Sequence, residues 1–343
     1  MVRASAASWV TPVTSTVTFI RNLAAARKPV MRRAGCLTPI VAALGVVLAV
    51  CSTSVWAWDD EGHMMVAAIA WRYLDDAQRA RVTQLLKLNP DYEQWTAGVA
   101  PSERDEVAFV SAATWPDAIK SDHGYVFDGQ KPPAGISAGQ NIGYQDHLQH
   151  RYWHYIDIPL SADGTPTVPP VQPNAQTQIE LFESSIASAG VPDNIKSYDL
   201  VWLEHLVGDV HQPLHATSRF SHQLPDGDRG GNLVALCIKP CRDELHAFWD
   251  NVLGTDRSAS VAISAAARIT APAQAAAAIS DDTTWLQESV QAARDYAYAP
   301  PIGPGAGPYT LDEHYKQAAL TQARQRVALA GARLAHLINT KLK

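Results

Sequence analysis

The stretch Leu203-Glu204-His205-Leu206-Val207-Gly208-Asp209-Val210-His211-Gln212-Pro213-Leu214-His215 puts three histidines and an aspartate into one short run. Clusters of this kind are where metal ligands are found. The apolar residues recur at helical spacing, and on a helix His205 and Asp209, four apart, leave the same face and can close on one cation. Pro213 disfavours helical geometry at Gln212, so the helix is expected to stop near His211 and to send His215 toward a different centre. A lone histidine on an apolar helix is better read as packed core. Four candidates at two useful spacings favour a metal site.

A second pair repeats the geometry in Glu244-Leu245-His246-Ala247-Phe248-Trp249-Asp250, where His246 and Asp250 are again four apart. Around these pairs the chain reads as helix after helix. Gly62 to Tyr73 and Asp75 to Leu88 form a helical pair, and Pro101-Ser102 with Asp105 reads as the cap of a helix running to about Lys120. Asn174 to Ser188 and Tyr198 to His211 follow. The C-terminal third gives helices at about 258–268, 272–280, 282–298 and from Thr310 to about Leu342, with Thr310 and Glu313 as a capping box. Residues 121–152, rich in Gly, Pro, Asp and Gln, read as a long loop, and 226–232 as a turn-rich one. Leu233 to Ile238 could form one hairpin arm. The expectation is an all-α single domain with its site at the bottom of a cleft between helices and at most one short hairpin.

The first 57 residues carry six Lys or Arg and no acid, an apolar run from about Leu37 to Val50, and Val55-Trp56-Ala57 at the end. This is the pattern of a secretory signal cleaved after Ala57, and the run is short for a membrane span. Met31-Arg32-Arg33 opens a signal of ordinary length, which makes Met31 a second candidate start. Cys51 follows bulky Val50, against lipidation. Residues 58–343 then hold 22 basic against 34 acidic side chains, the wrong sign for gripping nucleic acid by basic patches, and all twelve histidines. A phosphate substrate would need help from metal. Cys237 and Cys241 remain, and in an oxidising compartment they are expected to pair as a small disulfide loop rather than to hold zinc. A secreted or periplasmic protein is expected, with no membrane span after processing.

The order of several motifs carries a resemblance. Trp58 with His63 five residues on, Trp115-Pro116-Asp117-Ala118-Ile119-Lys120, His154-Tyr155-Ile156-Asp157-Ile158-Pro159, the run from Glu204 to His215, Asp228-Arg229-Gly230-Gly231-Asn232 and Leu245-His246-Ala247-Phe248-Trp249-Asp250 resemble in sequence order the zinc-dependent single-strand-specific nucleases of fungi and plants, the S1/P1 nuclease family. The resemblance covers residues 58–343. It implies three Zn2+: one held by Asp117, His154, His205 and Asp209; a second, bridged by Asp209, held by His63 and by the amine and carbonyl of Trp58; and a third held by His215, His246 and Asp250. Asp117, Asp209 and Lys120 would serve catalysis. Lys120 and Asn232 would contact phosphate, Tyr155 would stack on a nucleobase, and Asp157 would read the base edge. His211 would not be a ligand, and His314 and His336 are given no role. The 121–152 insertion and the scarcity of cysteine depart from the pattern.

The chemistry fits independently. Three divalent ions against three ligand aspartates leave a local charge of roughly +3 in an acidic protein, suited to a phosphodiester anion. Zinc acidifies water for in-line attack, so no Ser or Cys nucleophile is needed. The implied activity is cleavage of single-stranded DNA and RNA to 5′-mononucleotides, with removal of 3′-phosphates as a further activity, by a monomer without protein partners. The alternatives are a zinc phospholipase C of the same superfamily and, from another class, a non-catalytic zinc-binding protein of the cell envelope. In the phospholipase branch the gap from the terminal Trp to the next His is longer and Glu stands in place of Asp250; both differences favour a nuclease.

Overall fold

The computed structural model describes residues 58–237, 241 and 243–343, and the signal segment and its cleavage point lie outside them. In chain order the helices are α1 (Asp60–Tyr73), α2 (Asp76–Leu86), α3 (Tyr92–Trp95), α4 (Arg104–Ala112) and α5 (Trp115–Ala118), followed by strand β1 (Ile158–Ser161). Then come α6 (Ala175–Ala187), α7 (Asp193–Asp209), β2 (Thr217–Phe220), β3 (Ala235–Leu236), β4 (Asp243–Glu244), α8 (Leu245–Asn251), α9 (Ala259–Ala266), α10 (Gln274–Ala277), α11 (Asp282–Ala292) and α12 (Glu313–Lys341). The fold is all-α, as expected.

Two helices form its axis. In α1 every residue from Glu61 to Ala70 is buried, and in α7 every residue from Lys196 to Asp209. Helices buried on all sides are interior helices, and each needs neighbours all round. Around α1 pack α4, α9 and α12; around α7 pack α2, α5, α6 and α12. The α1–α12 crossing is close because Gly331 has no side chain: a Cβ there would stand 2.6 Å from Ile69 Cβ and 2.7 Å from the Val66 carbonyl oxygen. Asp59 caps α1 by accepting from the Asp60 N–H, and the acidic Asp60 and Glu61 face the helix's positive end. Asn174 and Thr177 form a reciprocal capping box at the start of α6.

Several boundaries differ from the sequence reading. The helix expected to run from Pro101 to Lys120 is two, α4 and α5, broken at Ala113–Thr114; Pro116 sits in the first turn of α5, where its missing N–H costs nothing, and Ser102 caps neither. α7 starts at Asp193, five residues before Tyr198, behind Pro192. Asp312, not Thr310, caps α12 by accepting from the Tyr315 N–H. The expected helix at 272–280 shrinks to one turn, and the 282–298 helix ends in a π-helical turn at 293–297.

The expected hairpin is β3 with β4, antiparallel with Ala235 opposite Glu244, and the Cys237–Cys241 disulfide closes the chain between them. A second pair was not foreseen: β1 and β2 are parallel, with Ile158 beside Thr217 and Ser161 beside Phe220. This pair holds the segment after His154 against the segment after His215. Among the described residues no helix is long and apolar enough to cross a membrane.

Candidate metal centre

Five other parts of the chain meet the C-terminal end of α7. His205 and Asp209 project from its last turn, His63 from the first turns of α1, Asp117 from α5, His154 from the turn after residues 151–153, His215 from the turn at 213–215, and His246 and Asp250 from α8. All are buried. They make three groups whose ligand atoms lie within 4.8 Å of one another: Asp117, His154 and His205; His63, His205 and Asp209; His215, His246 and Asp250.

Asp209 links the groups. Its Oδ2 lies 3.1 Å from His154 Nδ1 and 3.3 Å from His205 Nε2, while Oδ1 lies 3.4 Å from His63 Nε2 and 3.8 Å from His215 Nδ1. Two oxygens aimed at different imidazole sets is the disposition of a bridging carboxylate. His63 stacks flat on His205 with ring centroids 3.8 Å apart. That approach requires Gly208, since a Cβ there would stand 2.8 Å from His63 Nδ1.

The proton positions test whether cations fit. His215 Nδ1 faces the His154 carbonyl at 2.8 Å, and His246 Nδ1 faces the Gly230 carbonyl at 2.7 Å. Carbonyls only accept, so both Nδ1 atoms carry the hydrogen. Burial holds His246 at about 4 and His215 well below its ordinary value, so both rings are neutral at pH 7 and their Nε2 atoms are bare lone pairs. Those lone pairs face each other at 3.1 Å, with Asp250 oxygens 3.5 and 3.8 Å away. With no proton between them the arrangement is repulsive unless a cation sits among the three. The separation is close to the ~3.3 Å edge of a tetrahedron with ~2.0–2.1 Å zinc–nitrogen bonds. His205 is set the same way, its Nδ1 on the Ala113 carbonyl at 2.8 Å and its Nε2 turned inward. Such backing by carbonyls is usual for metal-binding histidine.

His63 repeats the point. Burial lowers it to about 4, so its 3.4 Å approach to Asp209 is not an ion pair at neutral pH, and among the described residues both its nitrogens lack a hydrogen-bond partner. Asp117 Oδ2, His154 Nε2 and Asp209 Oδ1 are likewise buried without one. Burial also pushes Asp209 and Asp250 well above the usual carboxylate range, with neighbouring acids adding to it. Neutral imidazoles and carboxylates that resist ionisation form a donor set that divalent cations complete.

Trp58 is wholly buried beside this centre, its indole N–H donating to the Gly208 carbonyl at 3.1 Å, and the next residue's N–H donates to the Asp250 carbonyl at 3.0 Å. Lys120 is buried and donates to Asp117 Oδ1. Tyr155 is half-buried and its hydroxyl donates to the Gln130 carbonyl. Asp157 is pushed up to about 6, first by burial and then by Asp228. The Asn232 amide donates to the Arg229 carbonyl at 2.7 Å, bracing the loop whose Gly230 carbonyl holds His246. His211 is not in the groups; its Nδ1 donates to Val207 and its Nε2 accepts from Arg333, which is paired with Glu288.

Three features escaped the sequence reading. Gln212 donates to Asp250 Oδ1 at 2.6 Å, a role visible only once the turn after α7 meets α8. Gly208 admits the His63 ring. In the 121–152 loop His150 is buried, stacks on Trp153 at 3.6 Å and lies between Asp146 and Asp128, at 2.8 and 3.3 Å. The signal for it was present in Asp146 and His150, four apart but outside any helix.

A family model described as S1/P1 Nuclease matches residues 58–343. The chain belongs to the S1/P1 nuclease family. Among curated relatives, Endonuclease 1 of Arabidopsis thaliana is 25% identical over 224 residues, 62% of this chain and 59% of its own length. Endonuclease 4 of that plant is 26% identical over 211 residues, 57% of this chain and 55% of its own length. Endonuclease 2 is 24% identical over 302 residues, 83% of this chain and 91% of its own length. The matched part thus spans little more than half the length of the first two relatives, while the S1/P1 nuclease match takes in every residue of the three buried groups.

Proposed function

We propose that this S1/P1 family member is a secreted or periplasmic zinc-dependent phosphodiesterase that cuts single-stranded DNA and RNA to 5′-mononucleotides and also removes 3′-phosphates. The observation that carries the reading is the facing pair of bare Nε2 lone pairs on His215 and His246 beside Asp250, repeated around Asp209. Three Zn2+ are assigned to Asp117, His154, His205 and Asp209; to Asp209, His63 and the Trp58 amine and carbonyl; and to His215, His246 and Asp250. When bound, they supply positive charge for a phosphodiester and acidify water for attack on phosphorus.

The chain's own residues do the rest. The carbonyls of Ala113, His154 and Gly230 hold three imidazoles in the tautomer that presents Nε2 inward. Asp209 and Asp117 fix the spacing of the groups. Lys120, now donating to Asp117, is placed to donate to a non-bridging phosphate oxygen as charge builds on it. Tyr155 offers a ring to a base and Asp157 an acceptor to the base edge, and only an unpaired base can reach both.

The test is direct. Purified protein should release 5′-mononucleotides from single-stranded DNA, and His205→Ala should lose both that activity and bound metal. Turnover of phosphatidylcholine without nucleotide release would overturn the reading in favour of a phospholipase. Stoichiometric zinc without hydrolysis of either substrate would leave a binding protein.

A further inference from the structure

The 121–152 loop has no counterpart in the motifs that carry the family resemblance, and it presents an aromatic ring to solvent under unusual restraint. Phe127 is 53% exposed. The residue before it is tied into a bridge, Val126 donating to His147 at 2.7 Å and accepting from Gln149 at 3.0 Å. The residue after it is tied on both carboxylate oxygens, Asp128 accepting from the His150 N–H at 3.0 Å and the Tyr152 hydroxyl at 2.6 Å. The backbone on both sides of the ring is thus held by neighbours of which Gln149, His150 and Tyr152 are buried, while the ring itself stands in solvent. The Arg151 guanidinium lies 4.9 Å from its centroid.

Arg151 connects this ring to the metal centre. Its Nε donates to Gln149 at 3.0 Å, and its Nη2 reaches the Lys120 carbonyl at 3.4 Å, which also accepts from the Gln149 amide at 3.1 Å. Lys120 in turn donates to Asp117. Contacts therefore run unbroken from Phe127 through Arg151 and Lys120 to a ligand residue.

The geometry points to Phe127 and Arg151 as a second base platform, on the Lys120 side of the centre, that takes a nucleobase of a single strand while Arg151 and Lys120 face the phosphate joining it to the nucleotide being cut. This rests on the phosphodiesterase reading and extends it to the substrate's length. A rigid aromatic with an adjacent guanidinium is the usual equipment for sequence-tolerant stacking of unpaired bases. An exposed Phe–Arg pair is most often only a solvated surface contact; the double anchoring and the link to Lys120 set this one apart.

The experiment compares Phe127→Ala, Phe127→Trp and wild type on oligothymidylate and on bis(p-nitrophenyl) phosphate, a diester without bases. In Phe127→Ala the ratio of KM for oligothymidylate to KM for the small diester should rise about ten-fold, the effect of losing one stacked base, and tryptophan should restore it. An unchanged ratio overturns the platform. Wild-type protein that hydrolyses neither substrate would sink the phosphodiesterase reading alone. Polarisation of fluorescein-labelled phosphorothioate oligothymidylate then decides the platform: about ten-fold weaker binding by Phe127→Ala supports it, and equal binding removes it.

Discussion

Gln212 donates its amide to Asp250 Oδ1 at 2.6 Å while its own Oε1 accepts from the Leu214 N–H, so one side chain aims a carboxylate and fixes the turn that carries His215. Two members of the third group are therefore oriented by a residue that binds nothing itself. Gln212→Leu should leave the fold intact but weaken zinc at that group by about 10–100-fold, the usual cost of losing a ligand's supporting hydrogen bond. Competition with a graded series of chelators reads this, and zinc held as tightly as in wild type would refute it.

Gly208 gives a prediction whose sign differs from propensity. In an open helix, alanine is favoured over glycine by about 1 kcal/mol. Here the new Cβ would stand 2.8 Å from His63 Nδ1 and 3.2 Å from its Cε1. Gly208→Ala should cost roughly 1–3 kcal/mol through overpacking and shed the metal shared by His63 and Asp209. Thermal unfolding with metal analysis checks both; a stabilised, fully loaded variant would contradict the packing argument.

What the sequence made legible was local. His205 with Asp209 and His246 with Asp250 could be paired because helical spacing alone sets their faces. Joining His63, Asp117 and His154 to them needed the family pattern, since His154 lies 37 positions after Asp117 and no periodicity spans that distance. The supporting partners were not legible at all. Ala113, His154 and Gly230 act through backbone carbonyls, and any residue type supplies a carbonyl. The break between α4 and α5 was readable but misread, because Pro116 belongs in a first turn and was placed inside a helix. β1 and β2, four residues each and tied by long-range pairing, left too short a pattern to find.

Asp157 titrates at about 6 because burial and Asp228 oppose its charge. Its folded value lies above the ordinary 3.8, so the fold favours the neutral form: the resulting stabilisation is complete below pH 3.8 and is lost as pH rises through about 6. Reading a base edge needs the opposite form. KM for single strands should fall as pH rises through about 6, and Asp157→Asn should abolish that inflection. The variant should also unfold with more difficulty than wild type at pH 8, by at most about 3 kcal/mol, and nearly alike at pH 4. A variant that keeps the pH inflection would remove Asp157 from substrate binding.

The proposed processing to a free amine on Trp58 offers the sharpest test of the metal count. Trp58 is locked beside the centre by its indole bond to Gly208, and Asp59 by its bond to Asp250. These two bonds tie Trp58 and Asp59 to Gly208, next to Asp209, and to Asp250. A free α-amine, with an ordinary pKa near ~7.7–8.0, gives up its proton readily to a bound cation, whereas an amide nitrogen in the same place is a poor ligand. Protein beginning at Trp58 should bind three zinc ions, and protein carrying one extra residue before Trp58 should bind two, with activity reduced at least about ten-fold. Intact mass fixes the first residue and elemental analysis the metal content. Three equivalents in the extended form would show that the amine takes no part.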